Sequence, residues 1–267
     1  MKYFILLFVT LLSLAYASTD TKIIPLPIYA TLPNEGSTYG FMPVFMVVEN
    51  LEQRTQSILA PSISWNRIIR FTGTFRWYYY PSSVDSLTFI PSISSNINRN
   101  FTVMFRHEPN TPGSTTLELG LHLRRSLFYR FFGLGPLSKN ANESSYTRVG
   151  GELDGRVGYN FTQNWNAGVF AQLERQLVEQ KHVDFLPLTN SVFPNTTGLG
   201  GATAWSEGLS VRFDNRARRE YSPNGFASDL SAAFVHGISG TDNYARLSAE
   251  AKGLWEDFVY PRSNHII

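Results

Sequence analysis

From Glu152 to Phe161 polar and apolar side chains take turns along the chain. Leu153, Val157, Tyr159 and Phe161 fall on one face with Gly155, while Glu152, Asp154, Arg156 and Asn160 fall on the other with Gly158. A period of two marks a β-strand whose two faces meet different surroundings. After the short turn Thr162-Gln163-Asn164, Ala167, Val169, Ala171 and Leu173 alternate with Phe170, Gln172 and Glu174, which completes a hairpin. The pattern returns near the end. Phe226, Ser228, Leu230, Ala232 and Phe234 alternate with Asp229 and Ser231, and Ala245, Leu247, Ala249 and Ala251 stand opposite Arg246, Ser248, Glu250 and Lys252. A face this charged cannot enter a packed sandwich core without partners.

A watery lumen accepts such a face, and lipid accepts the other, so the pattern predicts an all-β fold, a transmembrane antiparallel β-barrel. Composition agrees: 43% of the 267 residues are hydrophobic and 14% aromatic, but only 16% are charged, against about 25% in soluble domains. Further strands are expected at 40–49, 56–65, 70–80, 86–94, 100–108 and 115–125, ten or eleven in all, with turn-rich breaks such as Pro109–Gly113 and Ser138–Ser145. Residues 180–201 read as a long external loop. Trp77–Tyr80 and Phe128–Phe132 read as interfacial aromatic girdles, with a soluble core as the competing reading.

The first residues have the form of a targeting segment. Met1-Lys2 precedes an apolar run from Phe4 to Leu14, and Ala15-Tyr16-Ala17 is a small-x-small cleavage signal. An uncleaved anchor helix is the other reading, although the run is short of the roughly 20 residues a span needs. No later stretch offers 18 apolar residues, so any membrane span must be made of strands. The expected organisation is a signal peptide at 1–17, a lead-in segment at 18–36 and a barrel domain at 37–267. The chain lacks cysteine and carries a formal charge of +2. Its short Arg124-Arg125 and Arg216–Arg219 groups do not form a nucleic-acid-binding tract.

Three segments in order resemble the bacterial surface antigen family, the outer-membrane barrel of BamA- and TamA-like assembly and translocation proteins. The first is Phe128–Pro136, with Gly133 and Gly135. The second is Tyr146-Thr147-Arg148 leading into the strand that ends at Phe161. The third is Phe213-Asp214-Asn215-Arg216 followed by Tyr221-Ser222-Pro223-Asn224-Gly225-Phe226. In the third, Pro223 fixes φ and Gly225 permits a tight turn before the strand resumes. The resemblance covers about residues 28–258. It implies a weakly closed seam that templates client strands by edge pairing, with outer-membrane lipid and client proteins as partners and no cofactor.

The chain departs from the family pattern in four ways. About twenty residues separate the cleavage site from the first expected strand, where relatives carry periplasmic domains. No Arg-Gly pair occurs in the chain, although the family's lumenal loop carries one. The family's barrel also has 16 strands, more than are read here. The ending Asn264-His265-Ile266-Ile267 lacks a terminal aromatic, so the last third of the barrel is expected to be missing.

Catalysis and metal binding find little support. His107, His122, His182, His236 and His265 have no metal-ligand spacing, and no Gly-x-Ser-x-Gly elbow occurs. His107-Glu108 and His182 near Asp184 are the local acid-base pairs, and solvated strand ends or loops account for them. Gly198-x-Gly200-Gly201 is a flexible loop, since no helix follows it. Sequons at Asn100, Asn142, Asn160 and Asn195 bear on glycosylation only in a eukaryotic secretory protein. The leading expectation is a surface-antigen-type barrel, not an enzyme, in protein insertion or export. One alternative is a passive porin whose selectivity is tuned by Glu152, Asp154, Arg156, Arg246, Glu250 and Lys252. Another is a soluble secreted all-β binding protein.

Overall fold

The computed structural model describes residues 19–32, 34–49, 54–136, 138–179, 181, 183–196, 198–216 and 224–254. The proposed signal peptide, Pro223 and His182 lie outside them. The described residues form fourteen strands in one antiparallel sheet. They are β1 (Thr19–Leu32), β2 (Gly36–Glu49), β3 (Arg54–Leu59), β4 (Ser62–Asn66), β5 (Arg70–Thr74), β6 (Trp77–Tyr79) and β7 (Asp85–Ser94), followed by β8 (Arg99–His107), β9 (Thr115–Phe131), β10 (Ser144–Asn160), β11 (Trp165–Glu179), β12 (Ala202–Asp214), β13 (Gly225–Ser239) and β14 (Tyr244–Leu254).

Two pairs of these segments are single strands with a break. Both β3 and β4 pair with β2 and continue one register, Phe45 opposite Leu59 and Phe41 opposite Ile63. Both β5 and β6 pair with β7. The path is therefore an up-and-down meander of twelve strands, each paired with its sequence neighbour. The segment expected as a lead-in holds β1, paired with β2 from Thr19–Glu49 to Leu32–Gly36. Pro25 and Pro27 obscure it in the sequence, but proline is tolerated on an edge strand.

The breaks have a common cause. Pro25 stands opposite Pro43. The register on either side places Pro43 level with Pro61 and Pro61 level with Phe75. The Phe75 N–H donates to the Pro91 carbonyl at 3.0 Å, and Pro91 stands opposite Phe101. Four prolines thus occupy one transverse row across β1 to β7. The Ala60 N–H donates to the Arg76 carbonyl at 2.8 Å, so even-numbered residues of β3 and β4 bond toward β5 and β6, and odd-numbered ones toward β2. Pro43 and Pro61 therefore face each other across a bonding position where neither has an N–H. Carried one strand further, the same alternation turns the ring nitrogens of Pro25 and Pro27 to the edge of β1 that carries no partner strand among the described residues.

The burial of the sheet is inverted relative to a soluble protein. Leu153 is 57% exposed, Leu209 64% and Leu247 83%, with Ile63, Phe71, Ile93, Val169 and Leu230 also exposed. Twelve polar or charged residues are buried among the described residues, against seven hydrophobic ones. Every register-matched row places these exposed apolar groups on the same, outer face of the sheet. The inner face of β1 and β2 is apolar as well, with Leu26, Met42, Val44, Met46 and Val48, so the alternation is weaker there.

Above the end of β9 the segment 183–196 packs on the ends of β9 and β10. Ser145 N–H donates to the Pro187 carbonyl at 3.0 Å. Ser144 Oγ donates to Thr189 Oγ1 at 3.1 Å, and Phe193 packs edge-on against Phe131 at 5.0 Å. Leu127 and Val183 are buried beneath. The long loop contains one helical turn, Thr189–Val192.

Candidate functional site

The inner face of β8 to β14 lines an open cavity of about 520 Å³. Its lining carries the cations Arg106, Arg156, Arg212, Arg216 and Lys252 and the anions Glu108, Glu118, Asp214, Asp229 and Glu250, so the formal charges balance.

Glu118 of β9 is the centre of the arrangement. It accepts from Arg156 Nη1 at 3.4 Å and from Arg212 Nη1 at closer range. Arg212 also donates through Nε to Asp229 of β13. Arg156, only 7% exposed, donates through Nε to Ser210 Oγ at 2.7 Å and through Nη2 to Asn166 Oδ1. Asn166 donates in turn to Thr116 Oγ1 at 3.2 Å and Asn160 Oδ1 at 2.9 Å. Five strands are tied together by this network. A buried guanidinium is tolerated only when its donors are met, and glycine makes the space. Gly158 lies opposite Gly168, and a Cβ at Gly158 would stand 2.8 Å from Arg156 Nη1.

Of the residues the period-two reading singled out, Arg156 lies in this network, while Glu250 and Lys252 line the same cavity and pair with each other at 2.6 Å. Nearer the long loop, Glu152 accepts from Gln172 Nε2 at 2.7 Å, and Arg246 Nη2 donates to Gln172 Oε1 at 3.2 Å. Asp154 lies 3.7 Å from His122. Sequence reasoning missed Glu118, Arg212, Asn166 and Ser210. Glu118 was open to the same reading, since Leu117, Leu119, Leu121 and Leu123 alternate with Glu118, Gly120 and His122. Arg212 was hidden because 202–214 was not read as a strand.

The motif residues sit at the opposite ends of the strands. At the short-turn end, Arg216 forks onto Asp214, Nε to Oδ1 at 2.9 Å and Nη2 to Oδ2 at 2.7 Å. The Arg216 N–H also reaches Asp214 Oδ1 at 3.0 Å, and the Phe226 N–H reaches Asn215 Oδ1 at 2.6 Å. Gly225 has φ of +136°, and a Cβ there would lie 2.8 Å from Arg216 Cγ. These contacts are thus a side-chain clamp on the facing ends of β12 and β13. At the long-loop end Gly133 and Gly135 both have positive φ, and a Cβ on Gly133 would press on the Phe193 ring at 3.3 Å. His107 pairs with Asp85 at 2.7 Å, across the strand, rather than with its sequence neighbour Glu108. Among the described residues no group of three or more His, Asp or Glu could hold a metal ion, and no helix is long and apolar enough to cross a membrane.

An antiparallel meander with an apolar outer face and a charged inner face is the pattern of an outer-membrane β-barrel. Residues 84–258 match the Omp85 superfamily domain. The chain belongs to the Omp85 superfamily. The match takes in β7 to β14 and therefore the whole Glu118 network and the Asp214–Arg216 clamp. This is an outer-membrane β-barrel of the surface antigen type. A solved structure described as a NanC porin is similar at a TM-score of 0.34 and 10% identity, over 86% of this chain and 96% of that one. No curated protein matches the chain.

Proposed function

We propose that this Omp85 barrel inserts or exports proteins through a weak seam at β1, after export of the chain itself by a cleaved signal at residues 1–17. The observation that carries this reading is the outer edge of β1, unpaired among the described residues. Pro25 and Pro27 turn their nitrogens to that edge, so a strand meeting β1 there finds no donor at two successive bonding positions. Closure along such an edge is incomplete, and an exchanging strand competes with it at little cost. Outer-membrane lipid surrounds the apolar face, and unfolded client barrels are the partners. The test is insertion of an unfolded outer-membrane barrel into vesicles containing the full chain. Pro25→Val with Pro27→Val restores two donors on that edge and is expected to slow insertion. Unchanged insertion by the double variant would contradict the seam reading.

The 520 Å³ charged cavity favours a second reading, a passive channel for small solutes. Its inner charges balance, so it would discriminate weakly between anions and cations. Planar-bilayer recording separates the two, because a porin gives a steady open current and a seam gives a fluctuating one.

A further inference from the structure

Outside the cavity, the outer face carries an unusual pair. Arg99 of β8 stands directly opposite Arg125 of β9. Both project from the same outer face as Ile93 and Leu123, which are exposed. Like charges directly opposite in a sheet destabilise it. Arg125 Nη2 lies 2.5 Å from Glu179, while its Nε is buried without an acceptor among the described residues. Arg99 is exposed. A third cation, Arg175, projects outward between Leu173 and Leu177, and Trp205 lies on the adjacent strand, two residues from Thr203, the partner of Arg175. These groups lie where the apolar band ends, beside the connections 132–143 and 180–201.

We infer that Arg99 and Arg125 form a binding site for the phosphate of an anionic lipid headgroup, in the leaflet at the long-loop end, with Arg175 and Trp205 at its margin. Two guanidinium forks match a phosphate, and the anion removes the repulsion between them. It also supplies an acceptor for the orphaned Nε. Trp205 has the amphipathic ring that settles at headgroup depth, and cations beside a membrane surface attract anionic lipid. Glu179 neutralises Arg125 in part and leaves Arg99 for the phosphate.

This inference rests on the membrane-wall reading, and the test separates the two. The full chain is reconstituted in phosphatidylcholine vesicles with lipid A, a glycolipid carrying two phosphates, or with its dephosphorylated form, and thermal unfolding is followed on gels. Phosphorylated lipid A is expected to raise the unfolding temperature by at least about 4 °C, and the dephosphorylated form to leave it unchanged. Arg99→Gln should abolish the rise. Glu179→Gln, which removes the competing carboxylate, should preserve or enlarge it. Equal effects of both lipid A forms, or a full rise in Arg99→Gln, overturn the site. A rise of the same size with inorganic phosphate alone overturns its assignment to lipid. A chain that stays outside the vesicles overturns the membrane-wall reading itself.

Discussion

Glu118 holds two arginines at once, and its removal leaves Arg156 buried with one charge uncompensated. Breaking a buried ion pair from one side costs about 3 kcal/mol or more, because the remaining charge stays desolvated. Glu118→Ala is therefore expected to destabilise the barrel by about 3 kcal/mol in urea titration, and Glu118→Gln, which keeps an acceptor, by clearly less. Equal losses would show that charge plays no part. At the other end of the sheet, burial pushes the Glu35 carboxyl above its ordinary range, with the Arg124 charge opposing. The protonated form is the one the fold favours. The stability it contributes is complete below the ordinary glutamate pKa and is lost as pH rises through the raised value. Glu35→Gln should remove that decline and slow amide exchange around Gly36 at neutral pH, whereas parallel pH profiles for the two proteins would contradict the assignment. Single residues were the hardest level to read from sequence. Alternation placed Arg156 and Glu152 on the inner face, but nothing local announced that Arg156 would meet Ser210 and Asn166 from two other strands.

Elements were legible in proportion to the contrast between their faces. β10, β11, β13 and β14 alternate charge with aliphatic groups, and the sequence shows all four. β1 and β2 are apolar on both sides, and Pro25, Pro27 and Pro43 argue locally against strands, so β1 emerges only from the structure. The transverse proline row is an element-scale feature that no window of one strand contains. It leaves the Pro43–Pro61 position without either ladder bond, and the strand breaks between β3 and β4 there. Pro43→Val with Pro61→Val restores both donors on β-branched residues that suit an outward strand position. The double variant should gain roughly 1 kcal/mol per bond, with slower hydrogen exchange over 59–63. Faster exchange, or a loss of stability, would mean that the row is required by the curvature of the wall rather than a weak line in it.

At the scale of the whole molecule, the account depends on one inversion: apart from the arginines at the long-loop end and the apolar inner face of β1 and β2, apolar side chains face outward and charged ones face the cavity. The match to the Omp85 superfamily and the burial pattern reach this arrangement independently. Because the chain has no cysteine, a single introduced cysteine is a unique probe of its surroundings. The most direct test attaches a nitroxide label at Leu153, Val157, Leu209 or Leu230 on the outer face, and at Glu152, Asp154 or Glu250 on the inner face, in vesicle-reconstituted protein. Collision rates are then measured with oxygen, which concentrates in lipid, and with a water-soluble nickel chelate. High oxygen and low nickel accessibility at the four outer positions, with the reverse at the inner ones, is the expected result. Nickel accessibility as high at Leu153 and Leu209 as at Glu152 would place the outer face in water and contradict the barrel.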